Sequence, residues 1–196
     1  MIKLIIDALT NMVNSFGYWG IFIATSLEYG CFPVSSEVLL PFIGYFVYRG
    51  RLSPFLAILV STAGGIIGSL ACYCMGRFGK TFIEYKLKKF TSIQKSLSNA
   101  ERVFEKYGRQ SVLIARLFPI ARTYISIPAG LVGMNVIVFI FYTAIGSFVW
   151  NSMLISVGCL LGEYWINAGS FIKEYHLLFY IITAVLSIVF IKLAKK

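Results

Sequence analysis

Charge is what this sequence has least of. Only 13% of its 196 residues are charged while 58% are hydrophobic, and the mean hydropathy is +0.79, so a water-soluble globule would lack the polar side chains to cover its surface. There is a single histidine, His176, and a single aspartate, Asp7, near the N-terminus. That scarcity weighs against a phosphatase built on paired histidines and against a Ser-His-Asp hydrolase. The four cysteines, Cys31, Cys72, Cys74 and Cys159, form no C-x-x-C pair. A zinc site needs about four converging ligands, so these cysteines read as small apolar packing residues and His176 as an interfacial one. No metal, no cofactor and no enzyme activity is expected. The first residues also lack a secretory signature, because Lys3 is followed closely by Asp7 and no small-residue site closes a short apolar core. Residues 1–15 read instead as a retained amphipathic, interfacial helix.

What the chain does have is long uncharged runs. Residues 52–76 and 123–162 carry no charged side chain, against the roughly 20 apolar residues that cross a bilayer as a helix. The reading is an all-α polytopic integral membrane protein, a single membrane domain over 1–196. Its basic residues are not spread evenly. Lys and Arg crowd the stretch from Lys80 to Arg109, and Lys192, Lys195 and Lys196 end the chain. Excess Lys/Arg beside spans marks the cytoplasmic side, which places 77–109 and the C-terminus inside. This distribution fits topology and anionic lipid headgroups rather than nucleic acid.

Two stretches break the apolar pattern. In 28–45, "EYGCFPVSSEVLLPFIGY", Pro33 and Pro41 bracket Glu37, and Glu28 precedes them; in 115–130, "ARLFPIARTYISIPAG", Arg116 and Arg122 lie among apolar residues broken by Pro119 and Pro128. Each contains "FP" followed by a second proline, a weak internal repeat, and Pro-interrupted segments in corresponding positions of two halves point to a transporter's binding site. The arms of the first stretch are too short to cross alone, so 16–48 is read as a re-entrant hairpin, with Ser35 or Ser36 available as a helix cap. Spans follow at 52–76, 134–161 and 176–192. With 77–109 and the tail inside, parity makes 110–131 a second hairpin entering from the cytoplasm, opposite the first. In 52–76, Gly64, Gly65 and Gly68 form a small-residue face for close helix approach.

An arginine at the bilayer centre costs about 2.5–3.5 kcal/mol on insertion scales, so Arg116 and Arg122 need partners or a wet cavity. Glu28 and Glu37 are the partners available. The four could simply pair and hold the hairpins together. Alternatively they form an anion site, since guanidinium forks grip phosphate bidentately. Gly130 and Gly133 would admit either a bulky ligand or another helix near the backbone.

These residues also carry a resemblance. Glu28, "PVSSE" at 33–37, Gly44, "GRFG" at 76–79, "FEKYG" at 104–108, "RLFPIAR" at 116–122, "PAG" at 128–130, Met134 and Trp150 together resemble the DedA family, the bacterial branch of the VTT or SNARE-associated domain group. The resemblance covers roughly residues 15–190 and departs at Val34-Ser35-Ser36, where many members have Pro and Gly. It implies opposed re-entrant hairpins, functional acids at Glu28 and Glu37, and functional arginines at Arg116 and Arg122. It also implies lipid transport in the bacterial inner membrane, with undecaprenyl phosphate or phosphatidylethanolamine as substrate and dependence on the proton-motive force. On this reading Arg116 and Arg122 bind phosphate, Glu28 and Glu37 exchange protons, and Pro33, Pro41, Pro119, Pro128 and Gly130 set the hairpin geometry. A phosphatidylethanolamine translocase, a cation/proton antiporter and a structural or insertion-assisting protein are the rivals, and a homo-oligomer stays open.

Overall fold

The computed structural model describes residues 11–13, 15–32, 35–86, 110–116 and 118–164. Most of the expected N-terminal helix, Pro33, most of the basic segment 77–109 and the expected span 176–192 lie outside the described residues. All regular structure among the described residues is helical: α1 (Tyr18–Tyr29), α2 (Ser36–Tyr48), α3 (Pro54–Lys86), α4 (Gln110–Arg116), α5 (Pro119–Tyr124), α6 (Ser126–Leu131) and α7 (Val136–Leu161).

Two of these helices are long and apolar enough to cross a membrane, Pro54–Gly79 within α3 and Val136–Leu161, each of 26 residues. At 1.5 Å per residue each reaches about 39 Å, more than the roughly 30 Å hydrocarbon core. Their faces are inverted relative to helices of a water-soluble protein. Along α7 the buried positions include Thr143, Gly146, Ser147 and Asn151, while Ile137, Phe141, Ile145, Phe148 and Leu160 point outward. Along α3, Ser61, Thr62 and Ser69 are buried, whereas Phe55, Leu59, Ile67, Met75 and Phe78 are exposed. Water would favour the opposite arrangement; a hydrocarbon solvent favours this one.

The short helices distribute themselves over this long pair. α1 lies along α3 and α2 along α7, with little contact between α1 and α2; then α4 lies along α7 and α6 along α3. Each Pro-containing stretch therefore puts one arm on each long helix, which gives the weak sequence repeat a spatial counterpart. Glycine makes the contacts close. A Cβ on Gly158 would sit 2.0 Å from the Pro41 carbonyl oxygen, and one on Gly130 2.1 Å from that of Tyr73. Gly130 is thus a helix-packing residue, with α3 against it. Gly68, in the small-residue face expected from sequence, likewise meets Ser26 of α1. Gly158→Ala is expected to push α2 from α7 and cost about 1–3 kcal/mol, read as a lower melting temperature in detergent; an unchanged melting temperature would show that the crossing has slack.

Pro41 lies inside α2, which runs on to Tyr48. Proline removes one backbone donor, a loss that tertiary packing can offset, and here its carbonyl is pressed against Gly158. Ser35 occupies the N-cap position of α2 but makes no side-chain cap hydrogen bond; its hydroxyl donates to Glu37 Oε2 at 2.5 Å instead. The helix α3, which holds most of the span expected over 52–76, continues to Lys86. Charge at Arg77 and Lys80 ends the apolar run, but backbone hydrogen bonding is indifferent to it, and no proline intervenes. The break before Pro119 is where the sequence puts it, with Pro119 opening α5 at a position whose N–H has no helical partner to lose. The next break falls at Ile125, three residues before Pro128, which sits within the first turn of α6.

Candidate functional site

The site is built where α1, α4, α5 and α7 meet. Glu28 and Tyr29 are the last residues but one and the last of α1, both buried. Arg116 ends α4 and Arg122 lies in the last turn of α5, so the helix break between them turns two arginines six residues apart into one cluster. Arg122 and Glu28 form an ion pair through Nη2 and Oε1, each side chain 3% exposed. The other terminal nitrogen of Arg122 donates to the Tyr29 hydroxyl at 3.2 Å. That hydroxyl donates to Asn151 Oδ1 at 2.9 Å, and Asn151 Nδ2 donates to Thr62 Oγ1 at 3.4 Å. One hydrogen-bonded chain thus runs from the ion pair through α1 and α7 to α3.

Arg116 is different. It is 1% exposed, and among the described residues it has no carboxylate partner. Its Nη2 donates to Ser126 Oγ at 3.1 Å, while Nε and Nη1 have no acceptor. Rings hold it: the guanidinium carbon lies 5.6 Å from the Tyr29 ring centroid and 5.8 Å from that of Phe139. Arg122 shares the Tyr29 ring, at 4.9 Å, and lies 5.1 Å from that of Trp150. Cation–π attraction of this kind is worth roughly 2 kcal/mol when desolvated, less than a buried charge costs. A Cβ on Gly146 would lie 2.7 Å from Arg116 Cβ, so α7 leaves room for the arginine stem only at glycine.

The cluster holds more donors than acceptors. Arg122 Nε, the Trp150 indole N–H and the Thr143 hydroxyl are also buried without partners among the described residues. One carboxylate faces two guanidiniums, and the second oxygen of Glu28 is itself unbonded. Such a set suits an oxyanion with several lone pairs.

Of the residues singled out from sequence, Glu28, Arg116 and Arg122 come together. Glu37 makes no contact with them among the described residues: it lies in the first turn of α2, partly exposed and bonded to Ser35. Sequence reasoning missed Tyr29 and Asn151 as site residues and saw Trp150 only as part of a resemblance. An asparagine in the middle of an uncharged span was the available signal.

Two buried arginines on broken helices, inside a bundle that turns its polar faces inward, define a helical membrane protein with a charged interior. The chain belongs to the VTT-domain family, the group that includes DedA proteins: residues 32–160 match the VTT domain. It is 36% identical over 166 residues to the uncharacterized membrane protein YkoX of Bacillus subtilis, covering 84% of this chain and 73% of that one. It is 34% identical over 167 residues to undecaprenyl phosphate transporter A of the same organism, covering 84% and 80%. An "alkaline phosphatase-like protein" of Lactococcus lactis is 28% identical over 191 residues, covering 94% and 88%, and that phrase is a name only. No solved structure matches.

Proposed function

We propose that this protein is a transporter that carries undecaprenyl phosphate across the bacterial cytoplasmic membrane, linked to proton movement. The observation that carries the reading is Arg116, a buried guanidinium with no carboxylate partner among the described residues and two donors unpaired. A relative at 34% identity named for undecaprenyl phosphate supports the choice of lipid.

A phosphate monoester brings a charge of about −1.5 to −2 near neutral pH. With Glu28 ionised the cluster offers only the one surplus positive charge of Arg116. Protonating Glu28 frees Arg122, and two guanidiniums then match one dianion. Phosphate entry is in this way coupled to proton uptake at Glu28, and phosphate release to its return. Glu37, partly exposed, is assigned the relay between Glu28 and water. In this reading 16–48 and 110–131 are re-entrant hairpins opening to opposite sides, 52–76, 134–161 and 176–192 are spans, and 77–109 with the C-terminus is cytoplasmic. The isoprenoid tail stays in lipid while the headgroup passes between the hairpins.

The test is reconstitution of the purified protein into liposomes carrying labelled undecaprenyl phosphate in one vesicle batch and labelled phosphatidylethanolamine in another. Faster movement of the polyprenyl phosphate, accelerated by an imposed proton gradient, is the expected result. Preferential movement of phosphatidylethanolamine would shift the assignment to a phospholipid translocase, whose ammonium group Glu37 or Glu28 would receive. Ion exchange without movement of either lipid would favour an antiporter.

A further inference from the structure

Two thiols face each other immediately beside the site. Cys31 follows α1 at the turn toward α2, and its Sγ lies 3.3 Å from Sγ of Cys72, a residue of the long helix α3. The Cys72 thiol also lies 3.8 Å from the Tyr29 carbonyl oxygen, which orients it toward the end of α1. Cys31 is the one non-glycine residue at positive φ, 65°, among those described, a conformation that L-residues adopt uncommonly. No disulfide joins the two; Cys31 is exposed and Cys72 buried.

We propose that Cys31 and Cys72 are a redox modification site, oxidised by a disulfide-bearing reagent or carrier to an intramolecular bond that locks the site-bearing end of α1 onto α3. The chemistry divides naturally between an exposed and a buried sulfur. The Cys31 thiol gives up its proton and attacks the carrier disulfide, forming a mixed disulfide and expelling one carrier thiol. Cys72 then loses its proton and attacks the Cys31 sulfur, expelling the second. The protein gives up two electrons and two protons, and the carrier disulfide becomes two thiols. A bond of about 2 Å needs the sulfurs to close by only a little over 1 Å from where they stand.

The consequence follows from where the helices sit. Glu28 and Tyr29 are three and two residues before Cys31, on the arm that lies along α3, whereas α2 lies along α7. Crosslinking Cys31 to Cys72 fixes Glu28 and Tyr29 to α3. Any alternation in which this arm leaves α3 stops, and this part of the inference rests on the transport reading above.

Purified full-length protein treated with dithiodipyridine, digested and mapped by mass spectrometry, is expected to yield the linked Cys31–Cys72 peptides. C31S and C72A should each yield none, with C72A retaining a pyridyl adduct on Cys31. A wild-type product in which Cys31 keeps the adduct while Cys72 stays a thiol, or in which Cys74 or Cys159 takes the bond instead, overturns the site. In liposomes, oxidised wild type should lose movement of labelled undecaprenyl phosphate and regain it with dithiothreitol, while C31S given the same treatment keeps it. Reduced protein that moves no lipid refutes the transport reading and leaves the peptide map to decide the disulfide. Lipid movement that persists after the bond has formed refutes the lock.

Discussion

Arg116→Met is expected to leave the protein at least as stable as wild type while removing its ability to carry a phosphate lipid. The two effects part because Arg116 contributes little to holding the fold together. It has one hydrogen bond, to Ser126, and two aromatic neighbours, against the desolvation of a buried charge. Replacing buried ionic groups with apolar side chains of similar volume is often neutral or stabilising by about 1–4 kcal/mol. Methionine keeps most of the stem volume beside Gly146 and can pack on Tyr29 and Phe139. For the ligand the loss is a desolvated charged contact, about 2–5 kcal/mol, or roughly 30-fold or more in affinity. Arg116→Lys separates charge from shape: it retains the cation but not the planar fork, and binding is expected to fall while the melting temperature holds. A lower melting temperature in Arg116→Met, with carriage intact, would make this arginine a structural residue.

Glu28→Gln should do the reverse to the fold. Glu28 is the carboxylate that compensates Arg122, and both are buried. Breaking a buried pair by removing one partner leaves an uncompensated charge and costs about 3–5 kcal/mol. The amide oxygen of Gln still accepts a hydrogen bond, so the low end of that range is expected. Arg122→Gln in the same chain should restore much of the loss, because no charge is then left alone, and a double-mutant cycle on melting temperature in detergent measures the coupling. Carriage should fail in Glu28→Gln even where the protein folds, since the amide neither takes up nor releases a proton, and the pH dependence of headgroup binding should flatten. Normal carriage with unchanged pH dependence would remove Glu28 from the proton step.

The contrast between these two residues was only partly legible in the sequence. Arginines are rare in apolar stretches, so Arg116 and Arg122 stood out, and Pro119 between them marked the break that lets both side chains turn into one cluster. Glu28 stood out for the same reason. What sequence could not assign was the pairing. Glu28 and Glu37 looked equivalent as partners, yet their positions differ: Glu28 lies at the buried C-terminal end of α1, Glu37 in the half-exposed first turn of α2. That difference leaves Arg116 without a carboxylate among the described residues. Tyr29 and Trp150 were hidden because aromatic residues in membrane sequences usually read as interfacial anchors; here their rings lie against guanidiniums in the interior. Nothing in the sequence around Pro41 shows the glycine on a neighbouring helix that receives its carbonyl. Gly130 stood out as a small residue, but not what would pack on it.

The central claim is that the surplus of buried donors around Arg116 holds a phosphate. It is tested most directly by titrating purified wild-type protein in detergent with a short-chain polyprenyl phosphate and with the corresponding neutral polyprenol, following the melting temperature. Saturable stabilisation by the phosphate, little by the alcohol, and loss of the phosphate effect in Arg116→Met are the expected results. Equal stabilisation by both compounds, or a phosphate effect that survives in Arg116→Met, would show that Arg116 does not hold the phosphate.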